Sequence, residues 1–239
     1  MALLNYYTAE SNWDKVVETG KKYIRKYPDN YYIGLKYANG LCETRQYGSC
    51  ISLLSKMQVL PNEGSYAGRA VYRAANLYQA MDQFSKRRYD AALKSIKASE
   101  EWPENLGVGK PYDDQIDKRL EDYLEAKVYE KKGETAKAQT LLDKVSSHPT
   151  STRNFESAHL LTALALRDTG KQAEADKLVA SWKKDFPESK PAQWCAAVYH
   201  GNMDQARELL SSRYASNETT PWETGYRDTN FDLIARLFK

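Results

Sequence analysis

Asn12-Trp13-Asp14-Lys15-Val16, running out into Lys26-Tyr27-Pro28-Asp29-Asn30, is the stretch whose reading decides the fold, because the chain repeats it. An amphipathic run carries a small residue, and a proline follows about eleven residues later. The stretches opening at Tyr47-Gly48-Ser49-Cys50, Tyr89-Asp90-Ala91-Ala92, Thr135-Ala136-Lys137-Ala138, Gln172-Ala173-Glu174-Ala175 and Met203-Asp204-Gln205-Ala206 overlay on it. The first five copies end in Pro28, Pro61, Pro103, Pro149 and Pro187. Positions 16, 50, 92, 138, 175 and 206 are separated by 34, 42, 46, 37 and 31 residues, a range that belongs to helical-hairpin repeats. A small side chain on the second helix of each hairpin lets its backbone approach the first, and the proline ends that helix before the next hairpin starts.

Local punctuation agrees. Gly133 and Gly170 fall in the turns between paired helices, Ser189 is placed to cap the helix after Pro187, and Thr229 with Asp232 reads as a capping box. These residues resemble the tetratricopeptide (TPR) repeat, whose pattern has a glycine-led turn, an aromatic, a small residue three positions on and a terminal proline. Asn12 to Asn30 fits it closely, and Ala126 with Tyr129 before Gly133, and Ala163 with Leu166 before Gly170, supply the small and bulky positions of first helices. The chain departs from the pattern in lacking most of the first-helix tryptophans, in its stretched third and fourth units and in its short sixth. The resemblance implies an all-α fold: one α-α superhelix of about six hairpins over residues 1–239, with units near 1–30, 31–62, 63–104, 113–149, 152–188 and 189–214. Residues 215–239 form an extension, with Asn217 to Thr224 of turn and extended character and Asn230 to Phe238 as a final capping helix.

A second resemblance lies between the third and fourth units. Trp102 through Asp113, followed by Arg119-Leu120-Glu121-Asp122-Tyr123-Leu124, is similar to a segment of bacterial multidomain proteins in which a TPR array follows a β-rich, mutarotase-like region. It implies that this chain is the helical tail of a longer protein of carbohydrate-related context, and it carries no catalytic residue onto any position here. The short opening helix, Leu3 to Ala9, gives the same expectation of a fragment.

Composition narrows the classes. The chain has 41% hydrophobic and 28% charged residues, and 35 basic against 32 acidic side chains leave a net charge of +3. Mixed charge argues against a nucleic-acid groove, and Lys86-Arg87-Arg88 and Lys21-Lys22 with Arg25-Lys26 read as solvated helix faces. No run reaches the roughly eighteen apolar residues of a membrane helix, and the start of the chain has no secretion signal. No membrane insertion is expected, and the compartment stays open between cytoplasm and periplasm. Cys42, Cys50 and Cys195 lack CxxC spacing, so no metal site is expected; Cys50 and Cys195 read as buried thiols in alanine-like positions.

Chemistry-bearing motifs are absent. His148, His159 and His200 are scattered, and Gly107-Val108-Gly109-Lys110 is followed by Pro111 where a phosphate loop needs serine or threonine. Asp113, Asp114 and Asp117 read as carboxylates at a helix start. Glu100 and Glu101 supply no legible acid/base pair. The expectation is a protein that is not an enzyme and has no cofactor.

What a hairpin array offers instead is a surface lined by its first helices. Aligning the units places Tyr32, Leu35, Asn39 and Glu43 there, then Arg73, Asn76 and Gln79, then Tyr123, Lys127, Glu130 and Lys131, then Leu160, Leu164, Arg167 and Asp168. The lining lacks the lysine-and-asparagine carboxylate clamp of TPR domains that capture chaperone tails. The long connection from Trp102 to Asp114, with Asn105, Lys110 and Tyr112, is the other candidate contact. Tyr31, Tyr32, Tyr66, Tyr112 and Tyr123 read as partner-facing, and Tyr23, Tyr37, Tyr47, Tyr72, Tyr78, Tyr89 and Tyr129 as packing residues. The functional expectation is a noncatalytic scaffold that holds a protein or peptide segment, or another domain of its own parent chain. The competing one is an accessory carbohydrate-binding or active-site-shaping module of a larger enzyme.

Overall fold

The computed structural model describes residues 1–61, 66–150, 153–215 and 228–238, and every regular element among them is helical. The chain divides into two compact units, Met1–Ile116 and Asp117–Lys239. The first holds α1 (Ala2–Ala9), α2 (Trp13–Lys26), α3 (Tyr31–Glu43), α4 (Tyr47–Leu54), α5 (Ala67–Ser85) and α6 (Tyr89–Ser99), then short 3-10 turns at Glu104–Leu106 and Asp113–Gln115. The second holds α7 (Arg119–Lys132), α8 (Thr135–Ser146), α9 (Ala158–Asp168), α10 (Gln172–Asp185), α11 (Lys190–Tyr199), α12 (Met203–Ala215) and α13 (Phe231–Leu237). Consecutive helices pack together from α1 to α6 and from α7 to α12. First helices also pack on each other, α1 on α3 and α3 on α5 in one unit, α7 on α9 and α9 on α11 in the other. Each unit is therefore a stack of hairpins with its first helices side by side. No helix among the described residues is long and apolar enough to cross a membrane.

The hairpins share one turn. Ser11, Arg45, Arg87, Gly133, Gly170 and Gly201 all have positive φ, between 52° and 81°, and each stands five residues before the small-residue position of its hairpin. In every case the following amide reaches back five residues in the Schellman pattern: Asn12 to Tyr7, Gln46 to Leu41, Arg88 to Gln83, Glu134 to Tyr129, Lys171 to Leu166 and Asn202 to Ala197, at 2.8–3.0 Å. The same residues then accept the first amide of the second helix from Val16, Cys50, Ala92, Ala138, Ala175 and Ala206. The turn thus sets the rotation at which the second helix starts, and all six small-residue positions arrive inside, at 0–2% exposure. Cys195 is equally buried, and the Cys50 thiol donates to the Ala38 carbonyl at 3.1 Å.

Val16 shows how the contact adjusts to a larger side chain. Opposite it α3 carries Gly40, where a Cβ would stand 2.7 Å from Val16 Cγ1, and Gly20 of α2 meets Tyr37 in the same way, also at 2.7 Å. Volume lost on one helix is regained on its neighbour. Asn12, Asn30 and Ser189 cap α2, α3 and α11 through side-chain oxygens. The prolines follow helix ends at uneven distances. Pro28 and Pro187 come two residues after α2 and α10, but α4 stops at Leu54, well before Pro61. The chain leaves α4 early to bury Met57 and Val59, at 8% and 4% exposure, with Met57 against Gly34.

In the second unit α9 is apolar nearly all round, and Ala158 through Leu166 are all buried. At the far end α13 buries Phe231, Leu233 and Ile234, with the Phe231 ring 5.0 Å from Trp194 of α11, so the closing helix caps the stack. The capping box expected of Thr229 and Asp232 does not form. Asn230 is the N-cap without a side-chain bond, and Asp228 instead accepts from the Asn230 amide at 2.9 Å. The stretch Asn217 to Thr224 lies outside the described residues.

Two predictions follow from this packing, both read by urea denaturation. Gly40→Ala should cost about 1–3 kcal/mol by overpacking, whereas Gly48→Ala, with no atom within 4 Å of the new methyl, should be neutral or stabilising by up to about 1 kcal/mol. Arg87→Gly should stabilise by about 0.5–1 kcal/mol, since a side chain there strains the left-handed turn, and Gly133→Ala should destabilise by about 1 kcal/mol for the same reason.

Candidate interaction surface

The connection from Trp102 to Asp114 has two halves with different work. Trp102 lies under the Arg69 guanidinium, 4.5 Å from ring centre, and Arg69 donates to the Ser99 carbonyl at 2.7 Å. Asn105 Nδ2 donates to the carbonyls of Leu54 and Met57 at 2.9 and 2.8 Å, and the Val59 amide returns a bond to the Asn105 carbonyl at 2.8 Å. Leu106 is fully buried against Gly68, and Gly107, at φ +74°, passes so close that a Cβ would stand 2.8 Å from the Val59 carbonyl. Residues 105–107 therefore brace the chain that leaves α4, which explains why that helix can stop early with its carbonyls satisfied. Of the contact residues named from sequence, Asn105 is committed to this brace and Trp102 to Arg69 of α5.

The second half faces outward. Tyr112 is 80% exposed, and Lys110 pairs with Asp113 at 2.6 Å. Asp113 and Asp114 form their own short turn rather than the start of α7. Only Asp117 reaches that helix, its Oδ1 accepting from the Arg119 amide at 3.0 Å.

On the first helices of the first unit, Tyr32 is 58% exposed and stacked on Tyr31 at 4.1 Å between ring centres. Leu35, Asn39, Glu43, Arg73 and Gln79 are half-buried. Asn76 is inside, 3% exposed, with Nδ2 donating to the Tyr72 carbonyl at 2.9 Å, so it belongs to the packing of α5.

In the second unit Leu160 and Leu164 are closed off with the rest of α9, and Tyr123 is 8% exposed. Burial, then the Asp168 carboxylate, pushes the Tyr123 phenol far up, so it stays protonated. What remains accessible is the rim where α7 and α9 end. Lys127 donates to Asp168 at 2.5 Å and to Glu130 at 3.0 Å while lying over the Tyr123 ring, and Arg167 lies over the Tyr199 ring at 5.4 Å. The Tyr199 hydroxyl donates to Asp176 at 2.8 Å. Each cation sits on an aromatic face within reach of a carboxylate, which holds both heads in place at the surface.

Near the start of α7 is an ionic cluster that sequence reasoning missed. Arg119, 2% exposed, donates to both Asp117 oxygens at 2.8–3.2 Å, to Glu156 at 2.9 Å and to Thr162 at 3.4 Å. Burial would raise the Asp117 carboxyl, but the Arg119 bonds and charge outweigh it and hold the group below its ordinary value. Burial, then the Arg119 charge, lowers His159 to about 4, and burial likewise lowers His148. The one legible hint was the pair His159 and Thr162 in the otherwise apolar stretch from Ala158 to Leu166. The cluster ties α7 to α9 and the chain before it and presents no nucleophile to solvent. Among the described residues no group of three or more His, Cys, Asp or Glu is arranged to hold a metal ion. Comparison with family models, with curated proteins and with solved structures gave no match.

The cluster makes stability depend on pH. His159 titrates near 4 when folded and near 6.5 when unfolded. The unfolded chain therefore binds the extra proton first, so stability is full above 6.5 and falls as pH drops towards 4, by on the order of 3 kcal/mol. Loss of the Asp117 charge adds to the fall below about pH 4. Urea midpoints between pH 7.5 and 4 should show this slope, and His159→Gln should flatten its upper part.

Proposed function

We propose that this protein is a noncatalytic TPR-like scaffold, whose first helices and outward loop residues hold a segment of another protein or another domain of the same parent chain. The observation that carries the reading is the packing of first helices on one another, which keeps Tyr32 and Asn39 on one unit and Lys127 and Arg167 on the other at accessible positions of rigid elements. Contact groups held this way lose little freedom on binding, and tyrosine adds contact area with few rotatable bonds. The groups whose protonation is most displaced, His159, Tyr123 and Cys195, are buried in the framework, which favours a binding role over a reaction.

Photo-cross-linking tests it. With benzoylphenylalanine at Asn39, Tyr112 or Lys127, source-cell extract should give discrete adducts, while the same group at Lys94 or Lys137 on second helices should give none. Equal labelling at all five positions, or none at any, overturns the reading.

The carbohydrate-module reading keeps one supporting observation, the 80% exposed Tyr112 ring beside the Lys110–Asp113 pair. Saturable binding of a glycan in calorimetry, lost in Tyr112→Ala, would favour it over the scaffold.

A further inference from the structure

The last two turns of α2 carry Lys21, Lys22, Arg25 and Lys26, all exposed. None of the four forms a salt bridge among the described residues, and Lys22 only adds its charge to the field at Glu18, which Lys15 already holds. Four other exposed lysines do, with Lys15 on Glu18, Lys86 on Asp82, Lys97 on Glu100 and Lys137 on Glu134 at 2.6–3.2 Å, while Lys183 and Lys184 at the end of α10 form no such pair among the described residues. One or two cations there would offset the negative end of the helix dipole, but four exceed that need, and the only acid immediately beyond them is Asp29.

A second, independent feature meets them. Antiparallel hairpins bring the ends of second helices and the starts of first helices to the same edge of the stack, and in the first unit that edge collects exposed hydrophobic surface. Of the exposed large hydrophobic residues among the described ones, Met1, Leu3, Tyr27, Tyr32, Leu60 and Tyr66 stand at or next to starts of first helices or ends of second helices, and none lies in the second unit. Tyr27, Tyr32, Leu60 and Tyr66 are 46%, 58%, 68% and 58% exposed. Lys26 Nζ already lies 5.4 Å from the Tyr27 ring centre, so the charged and aromatic surfaces adjoin. An exposed concentration of this kind marks a contact surface.

We infer that the corner where α2 ends and α3 begins is a docking site for a short, extended acidic segment of a partner protein, its carboxylates on Lys22, Arg25 and Lys26 and its apolar residues along Tyr27, Tyr32 and Leu60. This site rests on the scaffold reading and gives it a partner class. Charge complementarity selects the occupant. After α6, in the same unit, the chain carries Glu100, Glu101 and Glu104, with a lysine beside Glu100 alone among them, a local acidic character that disfavours a long polyanion or a flat anionic membrane over a segment a few residues long. One turn of α2 separates Lys22 from Lys26 by about 6 Å, close to the roughly 6.8 Å between alternate side chains of an extended peptide, so the preferred segment carries acids at every second residue.

Fluorescence anisotropy on the full chain tests this with a labelled dodecapeptide alternating glutamate with valine, threonine and leucine. The expected result is saturable binding that weakens as salt rises. It should fall at least tenfold in the Arg25→Glu, Lys26→Glu double variant and at least threefold in Tyr32→Ala, and be unchanged in Lys94→Glu on α6. Thermal melting followed by circular dichroism checks that each variant folds; a Lys22→Gln, Lys26→Gln variant replaces the charge-reversed one if that fails to fold. Absence of saturable binding, equal loss in Lys94→Glu, or tighter binding of oligo(dT) or phosphatidylserine vesicles than of the peptide overturns the site. Discrete cross-links at Asn39 without peptide binding would overturn this site alone and leave the scaffold reading standing.

Discussion

The structure depends on how closely two helices can approach at one buried position per hairpin. A Schellman turn stands five residues before that position in all six hairpins and fixes the rotation of the outgoing helix, so the small side chain faces inward each time. Turn and contact are one device. The turn without the small residue would aim a bulky side chain at the neighbouring backbone, and the small residue without the turn would have no fixed direction. Val16 is the informative exception, because Gly40 across the interface restores the space that valine takes.

From this constraint the placement of polar groups follows. With first helices packed side by side, α9 has neighbours on both flanks and is buried from Ala158 to Leu166, so the polar groups of that stretch, His159 and Thr162, are directed into the Arg119 cluster or the core. A buried arginine needs its donors met, and Asp117, Glu156 and Thr162 meet them. Exposed chemistry is left to the edges of the hairpins, where helices end and connections run. Those edges differ in kind: in the first unit aromatic rings and unpaired cations, in the second a rim of cations stacked on tyrosines and held by carboxylates.

Much of the fold was legible because its signals are local. The small residues at 50, 92, 138, 175 and 206 and the glycines at 133 and 170 announce their roles by type and spacing. The first three turns were not legible, since Ser11, Arg45 and Arg87 adopt a left-handed conformation that their side chains do not advertise. The binding surface was harder still. Whether Asn76 or Tyr123 faces out depends on a rotation of a few tens of degrees and on what packs across from it, and both turn inward. Asn105 bonds to residues 48 and 51 positions away, a pairing no local pattern carries. The Arg119 cluster is likewise assembled from three separate segments. Tyr32, Lys110 and Tyr112 stayed at the surface because they sit at element ends, where packing demands least.

Equilibrium denaturation of paired leucine variants tests the central constraint most directly. Ala138 and Ala175 are buried, while Ala136 and Ala173, two residues earlier on the same helices, are exposed. The account predicts that Ala138→Leu and Ala175→Leu each lose about 1–3 kcal/mol, and that Ala136→Leu and Ala173→Leu stay within about 0.5 kcal/mol of the parent. Equal effects at the buried and exposed alanines would mean that close approach at these positions does not hold the helices in place.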